Sequence, residues 1–157
     1  MGVLKKLTEE YFGKNERLED RVVMAGVERV DFTDRNGVRH RNGYKVKDDT
    51  KSPTTLANLI RKLIGKRGLE CDLNDIDVSN METMNYLFHC SKFNGDISGW
   101  DVSKVRSMTC MFYGSEFTGE NGDISGWEVD PDCLIVDTFV NSPLENNPPE
   151  WYRKRMR

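Results

Sequence analysis

The feature that most constrains this chain is an internal repeat in its second half. The five residues from Asp96 to Trp100 recur letter for letter from Asp123 to Trp127, and a partial copy begins at Asp72. Several residues recur in the same order at steps of 24 and then 27 residues: Val78, Val102 and Val129; Phe88, Phe112 and Phe139; Ser91, Ser115 and Ser142; Phe93, Phe117 and Leu144. One such unit is too short to bury its own apolar face, so neighbouring units must stack.

The spacing within each unit predicts a strand followed by a short helix. Trp100 and Val102 share one face at a spacing of two, which is typical of a strand. The next apolar residues are spaced by three and four, which favours helical turns: Val105, Met108, Met111 and Phe112. In the third unit Asp132 stands at the Val105 position and Pro131 enters the first helical turn. Both changes are expected of a terminal unit, which needs a polar outer face.

We therefore predict an α/β fold: a short leucine-rich-repeat-like solenoid of three strand-plus-short-helix units of 24 to 27 residues. An amphipathic helix starting near Pro53 and ending near Gly68 is expected to cap the first unit. Three parts follow: residues 1–50, an extension with a helix at 4–12 and a β-hairpin; residues 51–149, the capping helix and solenoid; residues 150–157, a basic tail. Asn-Gly pairs at 36–37 and 42–43 are the candidate hairpin turns.

Charge is segregated along the chain. Residues 1–70 carry 16 basic and 11 acidic residues, residues 71–149 carry 3 and 14, and residues 150–157 carry 4 and 1. The overall net charge of -3 therefore hides an acidic middle between basic ends. That middle also holds most of the tryptophan, methionine and phenylalanine, which indicates a folded acidic domain rather than a solvating tract. Because it would repel a polyanion, direct nucleic-acid binding is not expected.

The residues that usually carry enzyme chemistry are sparse. The chain has two histidines, His40 and His89, and no glycine-rich phosphate loop or paired-histidine zinc motif. Its four cysteines are 19, 20 and 23 residues apart, too far for close metal or redox pairs, and are predicted to be buried, reduced thiols. We predict that the chain is not an enzyme and uses no metal or cofactor.

The chain contains no apolar run long enough for a secretion signal or a membrane span. Position 6 is a lysine, whereas N-myristoylation after Gly2 requires serine or threonine there. From these observations we expect a cytoplasmic protein that does not contact a membrane.

Five carboxylates form the candidate binding site. They flank the inward-pointing residues of the predicted strands and are expected to face outward as one strip: Asp75, Asp77, Asp101, Glu128 and Asp130. Such a strip would steer a basic protein toward this surface. Alternatively, these side chains bind local amides in turns, because aspartate favours such positions and stacked like charges repel. The oxygen-bearing residues from Asp72 to Asp77 also cluster as calcium ligands do, but without the bidentate glutamate of an EF-hand.

Three segments carry a resemblance to a known repeat family: DLNDIDVSNMETMNYLF, FNGDISGWDVSKVRSMTCMF and GDISGWEVD. They resemble the BspA-type leucine-rich-repeat family, first noted in mycoplasma surface lipoproteins. TTLANLIRKLIGKRG is similar to the leader of these repeats and NNPPEWYRKR to their close, so the likeness covers about residues 53–152. The resemblance implies a protein-binding solenoid, often a surface adhesin, with relatives in gut-bacterial and phage genomes.

The resemblance and the charge pattern together predict a non-enzymatic protein–protein interaction module from a phage or a bacterium. In its more specific form, the acidic face binds and inhibits a basic, nucleic-acid-binding host protein by presenting carboxylates where phosphates would lie. The alternative is a structural or assembly component of a larger particle or a homo-oligomer. Salt separates the two, because an electrostatic complex weakens with ionic strength whereas an apolar assembly does not.

Overall fold

The computed structural model describes residues 21–156. It contains a β-hairpin, one long helix and a region of stacked turns closed by a short helix. The elements in chain order are β1 (Val27–Thr33), β2 (Arg39–Val46), α1 (Thr54–Arg67), β3 (Ile76–Asp77), α2 (Glu150–Arg153) and a 3-10 helix (Lys154–Met156). The helix predicted at residues 4–12 lies outside the described residues.

The hairpin uses one of the two predicted Asn-Gly turns. β1 and β2 are antiparallel, and the turn between them contains Asn36 and Gly37. The other pair, Asn42 and Gly43, lies inside β2, where Asn42 has a φ of 54° and the pairing register shifts. A left-handed residue in a strand is typical of a bulge, so the second Asn-Gly pair bends the strand instead of reversing it.

The hairpin and the first repeat unit share one sheet. β3 pairs with β2 in parallel, with Ile76 opposite Tyr44, which gives the strand order β1-β2-β3. The Tyr44 amide donates to the Asp75 carbonyl at 2.8 Å, and the fully buried Tyr44 side chain accepts the Val22 amide through its hydroxyl. Main-chain hydrogen bonds therefore anchor the repeats to the N-terminal hairpin.

Helix α1 packs on the same core. Its buried side chains lie on one face: Leu56, Leu59, Ile60 and Leu63. They belong to one apolar cluster with residues of all three repeat units. The helix ends at Gly68, whose amide donates to the Ile64 carbonyl at 2.8 Å and whose φ of 98° is a conformation that glycine adopts without steric cost.

The predicted fold class is wrong. The expected leucine-rich-repeat-like α/β solenoid of three strand-plus-short-helix units, capped by an amphipathic helix, is replaced by a small α+β fold with one three-stranded sheet. Between α1 and α2, a stretch the structure describes in full, there is no helix, and the repeats are mostly turns and loops. Many of these turns are closed by amides that donate three residues back: Met81 to Val78, Leu87 to Met84, and Ser91 to Phe88.

The backbone conformation explains why no helix forms in the units. The equivalent residues Tyr86, Cys110 and Asp137 have φ values of 59°, 54° and 55°, which no right-handed helix contains. The amides of Tyr86 and Cys110 bond across units instead of along the chain, because they donate to the Thr109 and Val136 carbonyls, both at 3.0 Å. Consecutive turns bury every third or fourth residue as a helix does, so hydrophobic spacing alone could not separate the two.

Equivalent aromatic residues of the three units lie in contact. The Phe112 ring centroid is 5.5 Å from those of both Phe88 and Phe139, with interplanar angles of 8° and 5°. Phe93 and Phe117 stack in a parallel row at 6.3 Å. These residues are almost fully buried, so the aromatic rows form the centre of the core.

A row of tryptophans runs beside the phenylalanines. The indole N–H groups of Trp100, Trp127 and Trp151 donate to the carbonyls of Leu73, Ile97 and Ile124, at 2.9, 3.3 and 3.0 Å. Trp151 lies in α2, after the last unit, and occupies the place that the tryptophan of a further unit would take. The C-terminal segment therefore closes this side of the stack.

The third unit has a different register from the predicted one. Cys133, not Asp132, takes the buried place of Val105: both are buried, and each donates its amide three residues back, to Asp130 and Val102 respectively. Asp132 is exposed. A uniform step of 27 residues places Asp132 opposite Val105, which is why the repeat spacing alone did not identify Cys133.

Candidate protein-binding surface

Each repeat unit contains turns in which an aspartate side chain accepts a hydrogen bond from the amide two residues ahead. These Asx turns join Asp72 to Asn74, Asp77 to Ser79, Asp96 to Ser98, Asp101 to Ser103, Asp123 to Ser125, and Asp130 to Asp132, at 2.7 to 3.0 Å. Such bonds are what the structural alternative for the acidic strip requires. Three of the five predicted site residues therefore hold the chain in its turns, whatever else they bind.

Asp75 does not face solvent. The Arg67 guanidinium donates to both of its carboxylate oxygens at 2.8 Å, and the two side chains are only 6% and 8% exposed. Arg67 also donates to the Asp72 carbonyl at 3.1 Å. This bidentate pair fixes the end of α1 to the first repeat unit, so Asp75 is unavailable to a partner.

Asp77 is partly buried and has a basic partner from the hairpin. Lys45 Nζ lies 3.3 Å from Asp77 Oδ2. The other three predicted site residues, Asp101, Glu128 and Asp130, are exposed. We call these three residues the exposed strip; it is shorter than the predicted one because the first unit's carboxylates are paired within the chain.

The hairpin turn lies beside the exposed strip. Arg35, Asp101 and Glu128 line a groove of about 250 Å³. The Arg35 amide donates to the Gly99 carbonyl at 3.0 Å, and its guanidinium donates to the Gly126 carbonyl. One basic residue of the hairpin thus bridges the second and third units at the edge of the strip.

This docking explains the glycine of the repeated DISGW segment. A Cβ atom at Gly99 would lie 2.7 Å from Asp34 Oδ2, and one at Gly126 would lie 3.1 Å from an Arg35 guanidinium nitrogen. Asp34 is held in place by His40, whose Nε2 is 2.8 Å from Oδ2. The glycines therefore allow the hairpin turn to approach the repeats closely.

A second groove, of about 710 Å³, lies beside Asp130. Its charged lining residues are Glu82, Lys104, Arg106, Asp130 and Asp132. Arg155 of the C-terminal segment donates to the Asp130 carbonyl but leaves the Asp130 side chain exposed. The charges of this groove are mixed, so the groove as a whole does not extend the exposed strip.

The last part of the repeat region carries acidic charge alone. Between Ser107 and Tyr152 the chain has nine acidic residues and no lysine or arginine. All nine are exposed: Glu116, Glu120, Asp123, Glu128, Asp130, Asp132, Asp137, Glu145 and Glu150. We call these nine residues the acidic end. The sequence already shows this run without basic residues. The predicted strip missed it because the prediction gave all three units the same exposed carboxylates.

A further face of the repeats exposes apolar and aromatic groups that sequence reasoning missed. Tyr86, Leu134 and Val136 are 57%, 59% and 58% exposed. His89 stacks on Tyr113 with centroids 5.5 Å apart and meets Tyr86 edge-on. Leu134 forms a parallel β-bridge with Ser107, so an apolar residue of the third unit stands where the second unit has a serine. Comparing equivalent positions of the units would have identified this face from the sequence.

The oxygen-bearing residues from Asp72 to Asp77, which cluster as calcium ligands do, are bound within the chain itself. Asp72 accepts the Asn74 amide, Asn74 Oδ1 accepts the Gly99 amide at 2.8 Å, and Asp75 pairs with Arg67. Burial raises the pKa of Asp72. This disfavours the ionised carboxylate that would have to bind a calcium ion. In residues 21–156 no group of three or more histidine, cysteine, aspartate or glutamate side chains is arranged to hold a metal ion.

The four cysteines are free thiols in different environments. Cys133 is buried, Cys71 and Cys110 are half-buried, and Cys90 is exposed, so the prediction of buried thiols is wrong for Cys90. Burial raises the pKa values of Cys71 and Cys133 to about 11. A thiol with such a pKa is protonated near neutral pH, which makes it a poor nucleophile.

The structure thus describes a repeat protein with two unlike ends, one paired to a basic hairpin and one acidic and exposed. In the part of the chain that it covers, no helix is both long and apolar enough to cross a bilayer. The chain belongs to the family described as "Mycoplasma protein of unknown function, DUF285", whose model matches residues 45–151. This family includes BspA-like surface repeat proteins, but its model is not specific to leucine-rich repeats. No curated protein and no solved structure matches the chain.

Proposed function

We propose that this protein is a non-enzymatic protein-binding module that recognises a basic partner through its acidic end together with the adjoining exposed strip of Asp101, Glu128 and Asp130. One observation carries the proposal. All nine carboxylates between Ser107 and Tyr152 are exposed, and no lysine or arginine interrupts them. In its more specific form, the partner is a nucleic-acid-binding protein, and the carboxylates occupy the positions of phosphates and thereby inhibit it.

The pairing pattern supports this choice of surface. The basic hairpin and helix α1 engage the first unit's carboxylates, as Arg67 does with Asp75 and Lys45 with Asp77. The last unit has few such partners; one is Arg153, whose guanidinium lies 3.4 Å from Glu150. Uncompensated charge on one face attracts a partner of opposite charge and raises its association rate. The resemblance of the repeats to BspA-type surface proteins also favours protein binding over catalysis.

The test removes charge while preserving the turns. In the variant Asp101→Asn/Glu128→Gln/Asp130→Asn, the asparagine oxygens still accept the amides of Ser103 and Asp132. Affinity purification from lysate of the native host, washed at low and at high salt and analysed by mass spectrometry, compares this variant with the parent. We expect a basic partner that is retained by the parent at low salt and lost with the variant or at high salt.

A charge-matched control separates local from general effects. The variant Glu28→Gln/Asp48→Asn/Glu70→Gln removes three exposed carboxylates outside the acidic end and should retain the partner. Equal recovery of the same partner by both triple variants would exclude the exposed strip as the binding site. Recovery of the protein itself alone, resistant to high salt, would instead support the alternative of an assembly component.

A further inference from the structure

One set of backbone hydrogen bonds runs in one direction along the stack, whereas others, such as Arg106 to Glu82 and Leu134 to Arg106, run the opposite way. Amides of the first unit donate to carbonyls of the second, and amides of the second donate to carbonyls of the third, all at 2.7 to 3.0 Å. The donors are Met84, Tyr86, Phe88 and Cys90, then Met108, Cys110, Phe112 and Gly114. The third unit has the same backbone conformation, since Asp137 shares the positive φ of Tyr86 and Cys110. Its corresponding amides therefore point away from the second unit.

Two of these third-unit amides form an open edge. The corresponding residues are Ile135, Asp137, Phe139 and Asn141. The Asn141 amide donates to Glu145 Oε2 at 3.2 Å, and Phe139 is buried beside Trp151 and Tyr152. Within residues 21–156 no acceptor bonds the amides of Ile135 and Asp137. Open backbone donors at the edge of a stacked array are a template for pairing with another extended chain.

The surroundings of this edge define what fits there. Asp137 is exposed and is itself part of the edge, and Glu145 lies at the edge because its Oε2 accepts the Asn141 amide at 3.2 Å. Leu134 and Val136, the exposed apolar residues, alternate with the open amides. A segment that pairs here therefore meets the carboxylates of Asp137 and Glu145 and an aliphatic surface, next to the Arg155 guanidinium that donates to the Cys133 carbonyl.

We propose that the basic partner contributes an extended segment, with lysine or arginine alternating with aliphatic residues, whose carbonyls accept the amides of Ile135 and Asp137. This inference rests on the proposed function and names how the same acidic end is engaged. The segment takes the place that a fourth repeat unit would have, while its cations lie near Asp137 and Glu145. In this kind of strand addition, backbone hydrogen bonds supply affinity and side-chain contacts determine which sequences bind. A basic segment that is disordered on its own can therefore bind at this edge.

The test measures hydrogen exchange of single amides by NMR on the full chain. The probe is the acetylated, amidated octapeptide Lys-Val-Lys-Thr-Lys-Val-Lys-Thr, and the control is spermine, which has equal charge but no carbonyl. The peptide should slow exchange at Ile135 and Asp137 by about tenfold, as expected for one new hydrogen bond each. Spermine should leave both rates unchanged. The Cys110 amide, already bonded to the Val136 carbonyl, is the internal reference.

The outcomes separate this inference from the proposed function. If the peptide shifts the resonances of Asp101, Glu128 and Asp130 without slowing exchange at Ile135 and Asp137, edge pairing is wrong and binding to the acidic end stands. If neither probe shifts these resonances, both proposals fail. Slow exchange in the free protein that depends on its concentration would mean that a second copy occupies the edge, which also overturns the inference.

A variant pair provides an independent check. Ile135→Pro removes one donor, whereas Ile135→Val keeps the amide and a similar side chain. Peptide affinity should fall about fivefold in the first variant and remain unchanged in the second. Equal affinities would contradict the pairing, and if Ile135→Pro does not fold, the exchange rates of the parent protein decide the question alone.

Discussion

The first and last repeat units have similar sequences but opposite surroundings. The first unit lies against the hairpin and α1, and its carboxylates Asp75 and Asp77 are paired with Arg67 and Lys45. The last unit is closed by the C-terminal segment, and its carboxylates are exposed. Equivalent positions in a repeat protein therefore take different roles according to what covers them.

The segregated charge of the sequence is partly cancelled in the folded chain. Lys45 and Arg67 pair with carboxylates of the first unit, and Arg35 reaches the second unit through the Ser98 and Gly99 carbonyls. What remains uncompensated is concentrated in the acidic end. A net charge calculated over residues 71–149 thus overstates the acidity of the first unit and hides where binding is expected.

The largest expected loss of stability comes from removing the tryptophan that packs against the first unit. Trp100 is 1% exposed and its indole bonds the Leu73 carbonyl, so Trp100→Ala should lower the free energy of unfolding by about 3 to 5 kcal/mol. Trp151 makes the same bond at the other end, to Ile124, but is half-buried. Trp151→Ala should cost only about 1 to 2 kcal/mol. Urea unfolding followed by circular dichroism measures both.

The comparison depends on a difference between these two tryptophan variants. Equal losses would mean that the C-terminal segment stabilises the stack as strongly as the interior contacts do. A Trp100→Ala protein that melts within a degree of the parent would contradict the inward position of Trp100 altogether.

The next effect concerns the buried ion pair. Arg67→Met leaves the Asp75 carboxylate buried without its bidentate partner, which should cost about 3 kcal/mol. Lys45→Met removes the same charge from the more exposed pair with Asp77 and should cost less than about 1 kcal/mol. Thermal unfolding at neutral pH compares them. Similar losses would mean that burial does not distinguish the two pairs, whereas recovery on adding Asp75→Asn to Arg67→Met would confirm the cause.

Much of the packing was predictable because stacked units must place like residues together. Phe88, Phe112 and Phe139 form the expected row, and Trp100 and Trp127 point inward. The closing role of the tail also had a signal. Trp151 follows Trp127 by 24 residues, which is the repeat period itself. The resemblance of NNPPEWYRKR to the close of BspA-type repeats indicated the same role.

The secondary structure and the extent of the site were not predictable on the same grounds. A helix and a chain of tight turns bury residues at the same spacing, and only the positive φ values at Tyr86, Cys110 and Asp137 separate them. Asp75 looked like Asp101 in the sequence because both stand beside a strand-like pair of apolar residues. Which of them is buried depends on where α1 docks Arg67, a tertiary contact that local spacing does not contain.

The last expected effect is a pH dependence that both ends of the stack share. Burial raises the pKa of Cys71, at the first unit, and of Cys133, at the last, to about 11 from an ordinary value near 9. The folded chain therefore holds these protons to higher pH than the unfolded chain, so folding stability should fall as pH rises from about 9 to about 11. The double variant Cys71→Ala/Cys133→Ala should lose this part of the dependence of folding stability on pH.

Alkylation with iodoacetamide at pH 8 should modify the exposed Cys90 first, and rapid labelling of Cys71 or Cys133 would contradict their burial.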